Sequence, residues 1–406
     1  MSFVVLLLAG FAAPVSADPA PPYNELLRRS LDQAPALLEQ AAKIRAASQD
    51  ARQARALPNP IAGVEFENIG GSTAPGSSTQ PQTTFTLTQP FEIGGKRSAR
   101  IAAGKAGIAA AEAEGRLVQV DYAARLAIAY ATAEATQQRL QLAEDDLVRA
   151  NEDLRAAGAL VQAGKEADLR LAQARASLSA ATAVREGAIA DLTEALANLS
   201  ALAGVAEPYS SVDSSFLVSE ALSGPVAGPM LDQSPAVAVA KAERDAMAAQ
   251  MRVEQVKPVP DIGLMGGLRR FGGTGDTSVV VGVTASIPIF NRNGGGIAAA
   301  KERQGAAEQR LAGAMLDADA ARRTALARVT ASQGRLRAAG DGEVAAAEAY
   351  RLGRIGYEAG KTSLLELLVL RRSLTDARAL TIDARLARIS ALAALARIDG
   401  RIAFGD

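Results

Sequence analysis

Two short stretches of alternating residues, each set inside long alanine-rich helical sequence, limit what this chain can fold into. One runs from Pro258 to Ile297, PVPDIGLMGGLRRFGGTGDTSVVVGVTASIPIFNRNGGGI, and an earlier counterpart runs from Pro58 to Ile101. Each reads as a pair of β-strands. In the last strand Val279, Val281, Val283, Ala285, Ile287 and Ile289 point one way and Ser278, Gly282, Thr284 and Ser286 the other, with Val280 out of pattern. Phe85, Leu87 and Phe91 alternate with Thr84, Thr86 and Thr88, Gln89 being the exception, and Val64 and Phe66 oppose Glu65 and Glu67. One apolar and one polar face over about ten residues is the length and period of a strand that crosses a bilayer. Phe66, Phe85, Phe91, Phe271 and Phe290 lie in or at the ends of these strands, where a bilayer interface favours aromatic rings. Arg269 and Arg270 fall at the far end of the third strand, where a charge costs about 0–1 kcal/mol rather than about 2–4 at the midplane. The competing reading is a soluble four-stranded sheet packed on helices, but no helical stretch is comparably apolar.

Four strands cannot close a barrel, which needs about eight, and lipid tolerates no open sheet edge. If these strands span a membrane, several copies of the chain share one barrel.

Composition narrows the chemistry. Lys+Arg and Asp+Glu both number 44, so no basic surface argues for nucleic acid. The chain has no Cys and no His. That removes thiols, disulfides, the usual zinc and copper ligands and the commonest general base. The carboxylates are scattered on helix faces without a paired acid/base spacing. No catalytic residue, cofactor-binding residue, metal ligand or enzymatic activity is expected. Gly360-Lys361-Thr362 resembles the end of a phosphate loop, but Ile355 stands where the first glycine is required and the context is helix–turn–helix. Gly294-Gly295-Gly296 is expected to let the backbone turn tightly at the last strand–helix joint.

Phe3 to Ala13 has the length of a signal h-region, and Val15-Ser16-Ala17 offers small residues for cleavage. Residues 1–17 are expected to be a signal peptide; a buried N-terminal helix is the alternative. No later stretch is apolar for about 18 residues, so membrane crossing falls to the strands.

The remaining sequence reads as helix. Tyr23 to Leu57 is helical in pattern and stops before Pro58. Strands are expected at Ile61–Ile69 and Thr83–Phe91, joined by a flexible loop, GGSTAPGSSTQPQ. Ser98 to Val161 holds no proline and would make a helix of about 90 Å. A break at Gln162-Ala163-Gly164-Lys165 precedes a second helix, about Glu166 to Leu202. Leu140, Leu147, Leu154 and Val161 are spaced by seven with Ala143, Ala150 and Ala157 between them; Leu171, Leu178, Leu192 and Leu199 repeat the seam with Ala174, Ala181, Ala188 and Ala195, broken by Arg185. Such a seam demands packing against other helices.

The chain also repeats itself. LDQAPA at Leu31–Ala36 returns as LDQSPA at Leu231–Ala236, and Pro58 and Pro60 return as Pro258 and Pro260. Ile101 and Lys105 return as Ile297 and Lys301, Ala163-Gly164-Lys165 as Ala359-Gly360-Lys361, and Arg175, Ser177 and Leu178 as Arg371, Ser373 and Leu374. The expected division is a signal peptide (1–17), a first repeat of helix, two strands and two long helices (18–203), a connector with little regular structure (204–229) and a second repeat (230–406).

This duplicated plan resembles the TolC-type outer-membrane efflux channels. Gln89-Pro90-Phe91-Glu92-Ile93-Gly94-Gly95-Lys96-Arg97 and Ile287-Pro288-Ile289-Phe290-Asn291-Arg292-Asn293-Gly294-Gly295 resemble the CzcC-like branch that serves heavy-metal efflux. The resemblance implies a mainly α protein with a membrane β-barrel portion: a homotrimer with a 12-stranded barrel in outer-membrane lipid and a long α-helical barrel in the periplasm. It implies a periplasmic adaptor and an inner-membrane pump of the resistance-nodulation-division type as partners. It places the adaptor-contacting helix tips at Gly164, Lys165, Gly360, Lys361 and Thr362, and the periplasmic aperture at Glu366. Val369 and Arg170 stand where related channels often carry Asp. The function it implies is a passive exit duct for exported metal cations. The alternatives are a related channel for drug efflux or type I secretion and, from another class, a soluble periplasmic coiled-coil adaptor.

Overall fold

The computed structural model describes residues 18–69, 81–164, 166–222 and 234–405. The expected signal peptide, most of the first hairpin loop, Lys165 and the end of the connector lie outside the described residues.

Helix α1 (Tyr23–Gln33) is followed at once by α2 (Pro35–Gln53), so the single helix expected from Tyr23 to Leu57 is divided. Ala34, the residue before Pro35, is extended at φ −63° and ψ 129°, as the proline ring requires of its predecessor. Pro35 then occupies the first turn of α2, where a missing N–H costs nothing. Strands β1 (Ile61–Glu67) and β2 (Gln82–Phe91) lead into α3 (Lys96–Gln162) and α4 (Asp168–Ala203). Gly204 closes α4 in the left-handed conformation. The connector is less irregular than expected, for it holds the short helix α5 (Phe216–Ala221) with Phe216 and Leu217 buried. Then α6 (Pro235–Val256), β3 (Ile262–Phe271), β4 (Thr277–Ala285), α7 (Gly294–Glu358) and α8 (Leu364–Ile398) repeat the order helix, two strands, two long helices.

The described residues form two compact units. One gathers 18–38, 118–222 and 319–405; the other gathers 39–117 and 234–318. The first is built on a knot of aromatic rings. Tyr23 meets Phe216 at 4.5 Å and Tyr130 at 5.8 Å, and Phe216 meets Tyr130 at 5.3 Å and Phe404 at 5.4 Å, spacings at which edge-on and tilted rings attract. Tyr23 Oη donates to the Ala403 carbonyl at 2.7 Å. Along α3 the seam alanines Ala143, Ala150 and Ala157 are buried, while Leu140, Leu147 and Leu154 stay half-exposed.

The second unit carries the sheet. Its order is β1-β2-β3-β4, antiparallel throughout. Helices α2 and α3 approach closely there: a Cβ on Gly104 would stand 2.9 Å from the Ala51 Cα. Strand β4 ends at Ala285, so Ile287 and Ile289, expected to continue it, lie beyond the ladder. The last pair is Ile262 with Ala285, and past Ile262 the opposing chain soon reaches Pro260, which cannot donate. The turn into α7 is not made by the glycine triplet. Helix α7 includes Gly294, Gly295 and Gly296, and the positive φ, 53°, belongs to Asn293. Asn293 Nδ2 is fixed by the Glu254 carbonyl at 3.0 Å and the Glu254 carboxylate at 2.9 Å. At the first strand–helix joint Gly94 and Gly95 take the positive φ instead.

Candidate functional site

The sheet sorts its residues by face. Because directly paired residues share a face, Val64, Phe85, Leu268 and Val279 form one transverse row, and Ala62, Leu87, Gly266 and Val281 the next. Leu264 and Val283 continue the apolar face. These large side chains are exposed, Val281 at 81%. The opposite face carries Glu65, Thr84, Arg269 and Ser278 in one row and Gly63, Thr86, Gly267 and Val280 in another. The alternation read from the sequence is therefore present in three dimensions, with Val280 still the exception. Arg269 and Arg270 part company. Arg269 joins the polar face, where it pairs with Glu67 at 3.0 Å and donates to Thr84 Oγ1 at 3.0 Å, and Arg270 shares a row with Phe66 on the apolar face.

Among the described residues β1 pairs only with β2, and β4 only with β3. Both outer edges thus present unsatisfied N–H and C=O groups. Beyond β4, Ile287, Ile289 and Phe290 are exposed, Phe290 at 99%.

Two tight turns join the paired long helices. At the first, Gly164 adopts φ 67° just after α3. At the second, Gly360 adopts φ 70° and donates to the Tyr357 carbonyl, while Lys361 and Thr362 donate to the Gly356 carbonyl. Ser363 caps α8, its Oγ accepting from the Glu366 N–H at 3.2 Å. Gly360, Lys361 and Thr362 therefore share one short turn, and Glu366 follows in the first turn of α8 with its side chain exposed, as is Val369 one turn on. At the first turn Leu169 is exposed and Arg170 pairs with Glu166.

Long-range charge pairs tie these helices together, and no local spacing reveals them. The Arg371 guanidinium of α8 sits between Asp153 and Asp146 of α3, with Asp153 distant by 218 positions in sequence. Arg139 pairs with Asp383. Glu134 is 0% exposed. Its carboxylate accepts from the Leu217 N–H at 2.6 Å and from Gln138 Nε2 at 3.1 Å. Burial pushes its pKa up to about 7, against those hydrogen bonds. Among the described residues no His/Cys/Asp/Glu group is arranged to hold a metal and no helix is long and apolar enough to cross a membrane.

A sheet whose apolar side chains face outward, mounted beside helices longer than any ordinary globular helix, defines a membrane-wall protomer of the efflux-channel class. Comparison with known proteins names the family. The family model "outer membrane efflux protein" matches residues 26–205 and 227–401, and the chain belongs to that family. It is 52% identical over 402 residues to the nickel-cobalt-cadmium resistance protein NccC of Alcaligenes xylosoxydans xylosoxydans, covering 99% of this chain and 92% of NccC. It is 54% identical over 390 residues to the nickel and cobalt resistance protein CnrC of Cupriavidus metallidurans, covering 96% and 93%. Its fold matches a solved structure of CusC at a TM-score of 0.78, with 20% identity over 96% of this chain and 97% of that one. The protein is an efflux component of the outer membrane and not an enzyme. Family membership sets aside the soluble-adaptor reading.

Proposed function

We propose that the chain is the outer-membrane exit duct of a tripartite pump and that its cargo is divalent metal cations such as nickel and cobalt. The observation that carries this reading is a four-stranded sheet with exposed large apolar side chains on one face and a free edge on each side. Four antiparallel strands are an even number, so β4 of one copy can pair with β1 of the next without breaking the antiparallel order. Two copies would give the eight-stranded size whose interior side chains fill. A homotrimer in lipid with a 12-stranded barrel is the assembly proposed, as the resemblance to the TolC-type channels implies. The resistance proteins NccC and CnrC, alike over nearly the whole chain, favour metal cations over drugs or secreted proteins as cargo.

The helix turns are the proposed tips for a periplasmic adaptor, through Gly164, Lys165, Gly360, Lys361 and Thr362. Glu366 is the proposed aperture residue, since its carboxylate is exposed one turn from the tip. An inner-membrane pump of the resistance-nodulation-division type completes the assembly. The proposed division follows the duplication: a signal peptide over 1–17, repeats over 18–203 and 230–406, and a connector over 204–229. The test is twofold. Detergent-extracted protein should have the mass of three chains by light scattering, and deletion of its gene should lower nickel and cobalt tolerance. A water-soluble monomer, or unchanged tolerance to both metals, would count against the reading.

A further inference from the structure

The polar face of the sheet carries its charge at one end only. Glu65 and Arg269 share a row, and Glu67 lies in the row beyond it, nearest the two hairpins. The three rows on the helical side hold no ionisable side chain. Arg269 is committed to Glu67, 3.0 Å away. Glu65 is exposed and has no ion partner among the described residues. The sequence of the first hairpin loop, 70–80, contains no ionisable residue to supply one, and Arg270 stands on the opposite face. The second hairpin adds a further carboxylate, Asp276. Each chain thus leaves Glu65 uncompensated within the strands of the polar face, with Asp276 adding negative charge at the hairpin.

We infer that Glu65, repeated once per copy around the wall, makes the outer mouth of the lumen favour cations over anions. The inference rests on the reading of the sheet as a lipid-embedded wall whose polar face lines the lumen. A ring of side-chain charge sets ion preference in a pore, and low-dielectric walls focus its field. The field is local, because the Debye length is about 8 Å at physiological ionic strength. Glu65, whose neighbour Glu67 is taken up by Arg269 and which belongs to no cluster of metal-ligating side chains among the described residues, attracts a cation without trapping it, which suits an exit rather than a binding site.

The absence of cysteine gives a direct test. Thr86 lies on the same face as Glu65, on the diagonal of the β1–β2 ladder, where neighbours are about 7–8 Å apart and their Cβ atoms somewhat closer. In purified full-length protein carrying Thr86→Cys, at low salt, the modification rates of cationic and anionic methanethiosulfonates are compared. The cationic reagent should be favoured. Adding Glu65→Gln should lower that preference roughly fivefold, and Glu65→Lys should reverse it. A rate ratio unchanged in both variants overturns the inference. If the cysteine reacts with neither charged reagent but does react with a lipophilic maleimide, this face meets lipid. The wall reading itself then fails, and the inference fails with it.

Discussion

The aromatic knot of the first unit and the sheet of the second handle apolar side chains in opposite ways. In the knot, Tyr23, Tyr130, Phe216 and Leu217 are buried, and each tyrosine hydroxyl finds a carbonyl. In the sheet, Val279, Val281, Val283, Leu264, Leu268, Phe85 and Leu87 stand exposed on one face. The same residue types are hidden in one place and displayed in the other. The hydrophobic effect holds in both, and the proposed function accounts for the difference by the solvent. The knot is built for water, and on that proposal the sheet meets hydrocarbon on one side and water on the other. A contiguous apolar face of this kind in water would be an aggregation surface.

The sharpest way to break the comparison is to exchange the faces. Val281→Arg places a charge on the apolar face, at a cost of about 2–4 kcal/mol near the midplane, repeated in every copy. Detergent-extracted trimer should nearly vanish on size exclusion. Thr284→Arg, on the polar face, should assemble normally. Equal trimer yields from both variants would show that the two faces meet the same solvent. In the knot, Phe216→Ala removes the ring that touches Tyr23, Tyr130 and Phe404 and should cost about 3–5 kcal/mol. Thermal unfolding should shift markedly, and a shift of a degree or less would mean that the knot does not hold its unit together.

What was legible in the sequence follows the same divide. The strands and long helices announce themselves because their periods, two and seven, are local and need no knowledge of the partner. The membrane reading follows from alternation over a span of bilayer length. Features fixed by distant partners stayed hidden. Helix α5 lies in Ser- and Pro-rich sequence, and it forms where Phe216 and Leu217 can enter a core made by other segments. Asn293 takes the strained turn beside three glycines because Glu254, from α6, holds its amide. Arg371 served the sequence reading only as a marker of the repeat, since Asp146 and Asp153 belong to the other half of the chain. The division at Pro35 was legible in principle. A proline in mid-pattern restricts its predecessor, and helical periodicity on both sides masked it.

A subtler contrast concerns charge. On the sheet Arg269 is compensated by Glu67, whereas in the knot Glu134 is buried among hydrogen-bond donors with no ion pair among the described residues. Desolvation raises its pKa to about 7; Asp213 pushes the same way, while the Leu217 N–H, Gln138 and Arg385 oppose it. The folded state therefore binds this proton more tightly than the unfolded chain, whose carboxyl titrates at about 4.3. Stability from this group is fully present below that value and is lost as pH rises through about 7, a span of about 3–4 kcal/mol at most. Glu134→Gln keeps the acceptor for Leu217 and should flatten that part of the profile. Melting temperatures at pH 5 and pH 8 should converge in the variant, and an unaltered difference would assign the slope to other groups.

The smallest expected effect lies at the α7–α8 turn, where neither apolar burial nor a buried charge is available. There, order rests on backbone hydrogen bonds to Gly356 and on a single cap, Ser363 Oγ to the Glu366 N–H. Ser363→Ala should cost about 1 kcal/mol of local helix stability. The loss should be confined to the first turn of α8, because α8 is anchored farther along by Arg371 between Asp146 and Asp153. Hydrogen exchange at Leu365 and Glu366 should quicken about fivefold, while exchange in the knot and the yield of trimer stay unchanged. If exchange quickened along α8 as far as Arg388, the cap and the charge pairs would be one cooperative unit, and the turn could not loosen without its helix.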